Sequence, residues 1–443
     1  MRGVMDTKNT INDASNHPKN LMKQTLIIYL LGLVIFGATF AERLFKPSYD
    51  NHYVHMAYGI LHGRLHVEGK PPHLNDWAKY DGKWYVSFPP APALFMLPGV
   101  AIWGMRFNDR IFTLFFSAAG PALLFLLLMR LKKRGSVDRK TWELGLLTGL
   151  FGVGTVYYFA AVQGSVWYTA HMVGVTLLLL YMLSSLNGRH PMLAGLALGL
   201  AFACRPPMLL AAPFLAYEII RPKLVDSKDN FFRAVLDALR QVGIRKTVLK
   251  VALFSIPVVL IIAAIMWMNA VRFDNPFEFG HRHLQVRWTD RILKWGLFHY
   301  HYLARNLAVA LTLLPWVSGN EPYLQIGRHG LAIWFTTPAF LYLLWPKQMN
   351  RFYMAMFVTV LCVAIPSLLY QNSGWVQFGY RFSLDYMPFL MVMLASGGRR
   401  FDRLFIGLCI FGLIVNLFGA ITFDRVRKYY PGGRAATAYF QPN

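Results

Sequence analysis

The residues that could do chemistry gather in one polar stretch, Ser48 to Pro90, which follows the first apolar run directly. Its first acid is Asp50. A carboxylate there can serve as a general base or orient a nucleophile beside a membrane, or it can cap the helix that starts at this point. Tyr53, Met56, Ala57, Ile60 and Leu61 recur at helical spacing and predict a short amphipathic helix, with Gly63 as its stop. The opposite face carries His52, His55 and His62. His52 and His55 are one turn apart, as metal ligands can be, but no neighbouring carboxylate pair completes a site, and His62, His66 and His73 form no ligand pattern.

Asn75 to Trp84 reads NDWAKYDGKW and is expected to be loop. Trp77, Tyr80, Trp84 and Tyr85 suit stacking on sugar rings or seating at a bilayer interface. Lys79 and Lys83 can meet a phosphate or simply be solvated, and Asp76 and Asp81 are further acids in reach. Farther along, Arg205 stands in the apolar run AFACRPPMLL, where a charge is expensive and calls for a phosphate or an acidic partner. Arg381, in FGYRFSLDY, stands at a span boundary with Tyr380 and Asp385, and an Arg381–Asp385 pair at i, i+4 is the structural alternative. His281, Arg282, His283 and Arg287 form a basic patch, and arginine forks onto phosphate oxygens.

The elements that must position these residues are membrane helices. Of 443 residues, 56% are hydrophobic and only 15% charged, where a soluble domain carries roughly a quarter. Apolar runs near the length a bilayer requires account for the deficit. The net charge of +24 reflects basic residues between spans, as cytoplasmic loops collect them, and no nucleic-acid motif is present. Cys204, Cys362 and Cys409 lie singly in apolar runs, which excludes a zinc or disulfide framework. No cleavable leader is evident ahead of the first run, Leu26 to Phe40.

The expected fold is an all-α polytopic membrane protein of about eleven transmembrane helices with a long first exterior loop bearing interfacial helices. A polar, disordered cytoplasmic tail (1–24) leads into one transmembrane catalytic domain (25–423). This contains the exterior loop (41–108), in which 89–104 lies on the membrane surface, and a cytoplasmic basic loop (221–250) with an amphipathic surface helix over 231–242. The tail 424–443 falls outside by this count, against the pull of Arg425, Arg427, Lys428 and Arg434.

The order of these features resembles the C-type membrane glycosyltransferases that use polyprenyl-phosphate sugars, especially bacterial relatives of the protein O-mannosyltransferases. The likeness is carried by Asp50 about ten residues after the first span, the closing run YDGKWYVSFPPAPALFMLP, GLAFACRP mid-chain, NPFEFGH after a later span, and GYRFSLDYMPF near the end. It implies transfer of a sugar from a polyprenyl-phosphate donor to a glycan, lipid or protein acceptor at the exterior face of a bacterial inner membrane, with inversion. Asp50 would be catalytic. Arg381, Tyr380, Arg205 and Lys83 would bind the lipid phosphate or donor, and His52, His55, Asp76 and Trp84 would contact acceptor or sugar. Where many members carry two adjacent acids, Asp50 is followed by Asn51, so a divalent metal is possible but not favoured. The alternative is a transporter or flippase of lipid-linked sugars, which should place acids or broken helices near the bilayer midplane.

Overall fold

The computed structural model describes residues 7–224, 231–286 and 288–430. Six helices are long and apolar enough to cross a membrane. They lie in α1 (Thr7–Phe40), α4 (Asp109–Lys133), α7 (Val166–Ser185), α11 (Ile244–Phe273), α15 (Arg351–Leu369) and α17 (Arg403–Thr422). These correspond to six of the eleven expected spans.

The other five expected spans are short or broken. One splits into α5 (Thr141–Val153) and α6 (Tyr157–Ala161). The break at Gly154 frees a carbonyl that accepts from the Thr337 hydroxyl at 3.3 Å, as a broken helix inside a membrane protein must arrange. The expected spans over 191–204 and 206–220 are α8 (Pro191–Phe202), a 3-10 turn over Pro206–Ala211 and α9 (Ala212–Ile220). The remaining two are α14 (Ile333–Thr336), which runs into a 3-10 helix over Pro338–Leu344, and α16 (Met387–Ser396).

α7 is the axis of the bundle, with 89% of its most apolar window buried. Helices approach closely through small residues. A Cβ on Gly195 of α8 would sit 2.0 Å from the Phe254 carbonyl oxygen of α11, and Gly199, one turn on, faces Ile261.

Two expectations about the polar segments change. Helix α1 begins at Thr7, so the described part of the N-terminal tail is helical rather than disordered. The first loop is not all helix and coil: β1 (Trp77–Tyr80) and β2 (Lys83–Val86) form an antiparallel hairpin. Asp81 (φ 45°) and Gly82 (φ 70°) make its two-residue turn, the Asp-Gly pairing that left-handed backbone favours. A second hairpin joins β3 (Trp316–Val317) to β4 (Leu324–Gln325).

The remaining elements of the loop are α2 (His52–Leu61) and α3 (Ala91–Trp103). At 13 residues α3 spans about 20 Å, short of the ~30 Å hydrocarbon core. Its Ala93, Met96 and Val100 pack on Tyr53, Val54, Met56 and Ala57 of α2, while Ile102 and Trp103 are exposed. The amphipathic helix expected over 231–242 is α10 (Phe231–Val242). Two short helices, α12 (Thr289–Trp295) and α13 (Leu303–Leu311), complete the described helices.

The bundle has a loop end, with Asp50 and its neighbours, and an opposite end rich in arginine and lysine. The chain leaves α17 at the loop end: Arg425 donates to the Thr39 carbonyl at 2.8 Å, and Arg43 pairs with Asp424 at 3.0 Å. Thus the basic residues at the start of the C-terminal tail close the end of α1. At the opposite end Glu218, fully buried, accepts both Nη groups of Arg134 at 2.7 and 2.8 Å and the Asn187 N–H at 2.7 Å.

Candidate active site

The position of Asp50 is set by its flanks. Buried Asp109, the first residue of α4, accepts the Ser48 N–H at 2.7 Å and the Ser48 hydroxyl. The Asp50 carbonyl accepts the Val166 N–H at 3.0 Å, which fastens the loop to the start of α7. Arg110 donates to the carbonyls of Arg43 and Lys46 at 2.9 and 3.1 Å. The N-cap of α2 is Asn51 and no side chain caps it, so the Asp50 carboxylate is not a helix cap. It faces His73, whose Nε2 lies 3.4 Å from Oδ1.

The histidine pairing differs from the sequence expectation. His52 and His55 do not face a common point. His55 packs edge-on against Trp77, whereas His52 stacks on Trp77 at 4.2 Å and lies edge-on to His73. One ligand atom from each of Asp50, His52 and His73 falls within 4.8 Å of the others, so the carboxylate that seemed missing from the sequence is supplied by Asp50 itself. His73 was the residue without a pattern, because its 23-residue separation from Asp50 closes only through the fold.

The hydrogen bonds show how far this trio suits a cation. His52 Nε2 lies 3.0 Å from the Asn75 carbonyl, which places its proton there and leaves Nδ1 bare, buried and without a partner among the described residues. The Asn75 N–H, however, donates to His73 Nδ1 at 3.3 Å, so His73 carries its proton on Nε2, the atom facing Asp50. A cation would have to displace that proton. The trio therefore fits a carboxylate–imidazole dyad beside a buried neutral histidine better than a metal centre. Burial, above all, holds the His52 imidazole down to about 3.

Asp76 is the second acid. It sits at φ 58°, and its Oδ2 accepts the Trp167 indole N–H at 2.9 Å. Burial pushes its carboxyl up to about 6 despite that bond, and Arg381, Asp50 and His73 lie within electrostatic reach. Burial also raises Asp50, with Asp424 adding to the effect and His73 opposing it. Two carboxyl groups with raised proton affinity thus lie within electrostatic reach of one another, and Asp76 is within reach of a guanidinium as well.

That guanidinium is Arg381. It is 5% exposed, lies over the Tyr168 ring at 5.3 Å, and leaves Nε without a hydrogen-bond partner among the described residues. The expected alternative, a pair with Asp385, does not form. Arg381–Asp385 is a 3-10 helix, whose three-residue turn puts residues four apart on different faces. Asp385 is instead held by Arg205, with Nε at 3.1 Å and Nη2 at 2.8 Å, and His171 adds an approach at 3.3 Å. Arg205 therefore has its acidic partner, and its fork is committed.

Several expected contacts lie elsewhere. Tyr380 is buried among Val309, Ala310 and Phe382. Lys83 is exposed at the start of β2, and Trp84 lies under the Lys79 ammonium at 5.6 Å. Within the basic patch Arg282 approaches Glu278 at 3.9 Å, His283 stacks on Phe273, and Leu284 bridges to Ala78 of the hairpin. Arg287 lies outside the described residues.

No family model and no curated protein matches the sequence. Among solved structures, the Archaeoglobus fulgidus oligosaccharyltransferase in its apo form aligns with 92% of this chain and 56% of its own, at 12% identity and a TM-score of 0.40. The archaeal oligosaccharyltransferase AglB from the same organism, in complex with an inhibitory peptide and a dolichol-phosphate, aligns over 93% and 56% respectively, at 11% identity and a TM-score of 0.42. The chain thus spans little more than half the length of these proteins. A likeness at this level establishes neither family nor activity.

Proposed function

We propose that the protein is an integral-membrane glycosyltransferase of the C type, moving a sugar from a polyprenyl-phosphate donor to an acceptor hydroxyl at the exterior face of a bacterial inner membrane. The observation that supports this most directly is the meeting of Asp50, Asp76 and Arg381 at one end of a bundle with six span-length apolar helices. A raised carboxyl is a better proton acceptor at neutral pH than an ordinary one, because catalytic efficiency peaks when the group's pKa nears the working pH. A buried arginine is the natural counterion for a phosphate leaving group.

In this reading the acceptor O–H donates to the Asp50 carboxylate, which takes its proton as the acceptor oxygen bonds to the anomeric carbon. The bond from that carbon to the carrier's phosphate oxygen breaks, and its electron pair leaves on the phosphate. Arg381 faces the developing charge. Attack opposite the leaving group inverts the anomeric centre. His73, with Nε2 3.4 Å from Asp50 Oδ1, would position Asp50 once the two draw together, and Asp76, held by Trp167, would orient sugar or acceptor hydroxyls. Arg205 acts indirectly, by holding Asp385 and the 3-10 turn that carries Arg381.

A flippase reading asks for acids or broken helices near the bilayer midplane, and the break between α5 and α6 meets the second of these. Among the described residues the acids of the six span-length helices stand near helix ends, Asp109 at the start of α4 being the buried example. The deciding experiment is Asp50→Asn in native membranes supplied with a polyprenyl-phosphate sugar. Release of polyprenyl phosphate should fall at least a hundredfold at unchanged protein level, and full activity would overturn the assignment.

A further inference from the structure

A second group of cations lies beside the site and is absorbed by nothing above. Arg291 of α12 donates Nη2 to the Gln371 side-chain oxygen at 3.0 Å. Arg305 of α13 donates Nη2 to the Gln371 carbonyl at 2.7 Å. The two guanidinium groups therefore converge on one residue, at the loop end of α15. His329 lies beside them as a neutral imidazole: its Nδ1 is 2.6 Å from the Ser373 hydroxyl, and burial together with Arg305 and Arg291 holds it down to about 4. Tyr370, next to Gln371, is within reach of Arg205, Arg381 and Asp76, so the cluster adjoins the proposed active site.

What sets this cluster apart is its lack of an acid. Arg205 has Asp385 and Arg134 has Glu218, yet no carboxylate among the described residues lies within ion-pair distance of Arg291 or Arg305. Arg305 is 7% exposed, and a buried guanidinium beside another cation is costly without a counterion. Part of Arg305's role is structural, since with Asn306 it closes the free carbonyls at the end of α15. That role occupies its Nε and Nη2. The Arg291 Nε is buried without a hydrogen-bond partner among the described residues.

The surroundings are apolar and exposed. Phe298, whose backbone bridges to Tyr370, is 54% exposed, and Tyr300, which leads into α13, is 75% exposed. Two arginines without an acid beside exposed aromatic side chains match an amphiphile with an anionic head and a hydrocarbon tail.

We infer that Arg291, Arg305 and His329 form a binding site for the phosphate head of a prenyl-chain lipid, with the chain lying over Phe298 and Tyr300. The inference rests on the proposed donor for the kind of amphiphile, and it moves the anchoring of the lipid phosphate from Arg205, which is committed to Asp385, to arginines that have no acid. Arg381 remains the group facing the scissile bond.

The test uses the purified full chain in nanodiscs of zwitterionic lipid, titrated by calorimetry with farnesyl phosphate, farnesol and inorganic phosphate. Farnesyl phosphate should bind, farnesol should not, and inorganic phosphate should bind more weakly. Arg291→Gln, which removes a side chain that among the described residues hydrogen-bonds Gln371, should weaken farnesyl phosphate about tenfold or more. Arg305→Lys, which keeps the charge and loses the fork, should do the same if its melting temperature matches wild type. Asp50→Asn should leave this binding unchanged while abolishing turnover. Binding unchanged in Arg291→Gln but lost in Arg381→Gln would overturn the inference and leave the proposed function standing. Failure of the wild type to bind any prenyl phosphate would overturn the inference, and turnover would then judge the proposed function separately. Inorganic phosphate binding as tightly as farnesyl phosphate would assign the pocket to the free anion and overturn the lipid's part in it.

Discussion

The two ends of the bundle handle buried charge in opposite ways. At the opposite end Glu218 is saturated: Arg134 forks onto it, the Asn187 N–H completes it, and Arg221 approaches at 3.7 Å. At the loop end the charges are left open. Among the described residues Asp76 accepts from Trp167, Asp50 faces a histidine at 3.4 Å, and the Arg381 Nε has no hydrogen-bond partner. A closed ion cluster ties helices together and offers nothing to a ligand. An open one costs folding energy, and that cost makes sense when a substrate completes it. Arg205–Asp385 stands between the two, a closed pair placed at the open end to hold it in shape.

The contrast can be broken by mutation. The largest effect expected is that of Asp50→Asn, a loss of about 10²–10⁴ in donor turnover with no change in melting temperature, measured in proteoliposomes. A parallel loss of folding would put Asp50 among the structural charges. Glu218→Ala should do the reverse, costing about 3–5 kcal/mol by stranding Arg134. Thermal unfolding should register this, while donor affinity of the surviving folded fraction stays put. Arg381→Gln should lower kcat about tenfold to a hundredfold with a smaller change in the KM for donor, and an unchanged KM and kcat would remove it from the site.

Asp76 gives a pH test of openness. Its folded pKa, about 6, is raised above the ordinary carboxyl value of about 3.9. A raised carboxyl favours the folded state while it is protonated in the fold, so this contribution is full below about pH 4 and is lost as pH rises through 6. Asp76→Asn keeps an oxygen for Trp167 and removes the charge. The variant should melt higher than wild type at about pH 8, with the gap narrowing below about pH 6 and closing towards about pH 4. A gap independent of pH would mean Asp76 does not titrate as its burial demands. The smallest effect is expected at Lys83, exposed on the hairpin: Lys83→Ala should change turnover by less than about twofold.

Much of the scaffold could be read from residue order. Apolar runs and basic interruptions located the six long helices, and the amphipathic stripe after Asp50 predicted α2. The Asp81-Gly82 turn was a hairpin signal that lay unread within an aromatic, charged segment. The spacing of Gly195 and Gly199 likewise announced the close packing of α8 on α11 without being used.

The candidate site was less legible. Composition and periodicity by themselves determined a helical, membrane-suited chain with its polar chemistry concentrated after the first span, because burial in lipid constrains every residue of a span. Which polar groups meet was decided by tertiary structure alone. Asp50 meets His73 because Asn75 turns that ring towards it, Asp385 meets Arg205 across 180 residues, and Arg291 meets Arg305 at the end of a third helix. Such pairings depend on where backbones cross, and the energy that selects them, desolvation of charge, exists only once the crossing has excluded water.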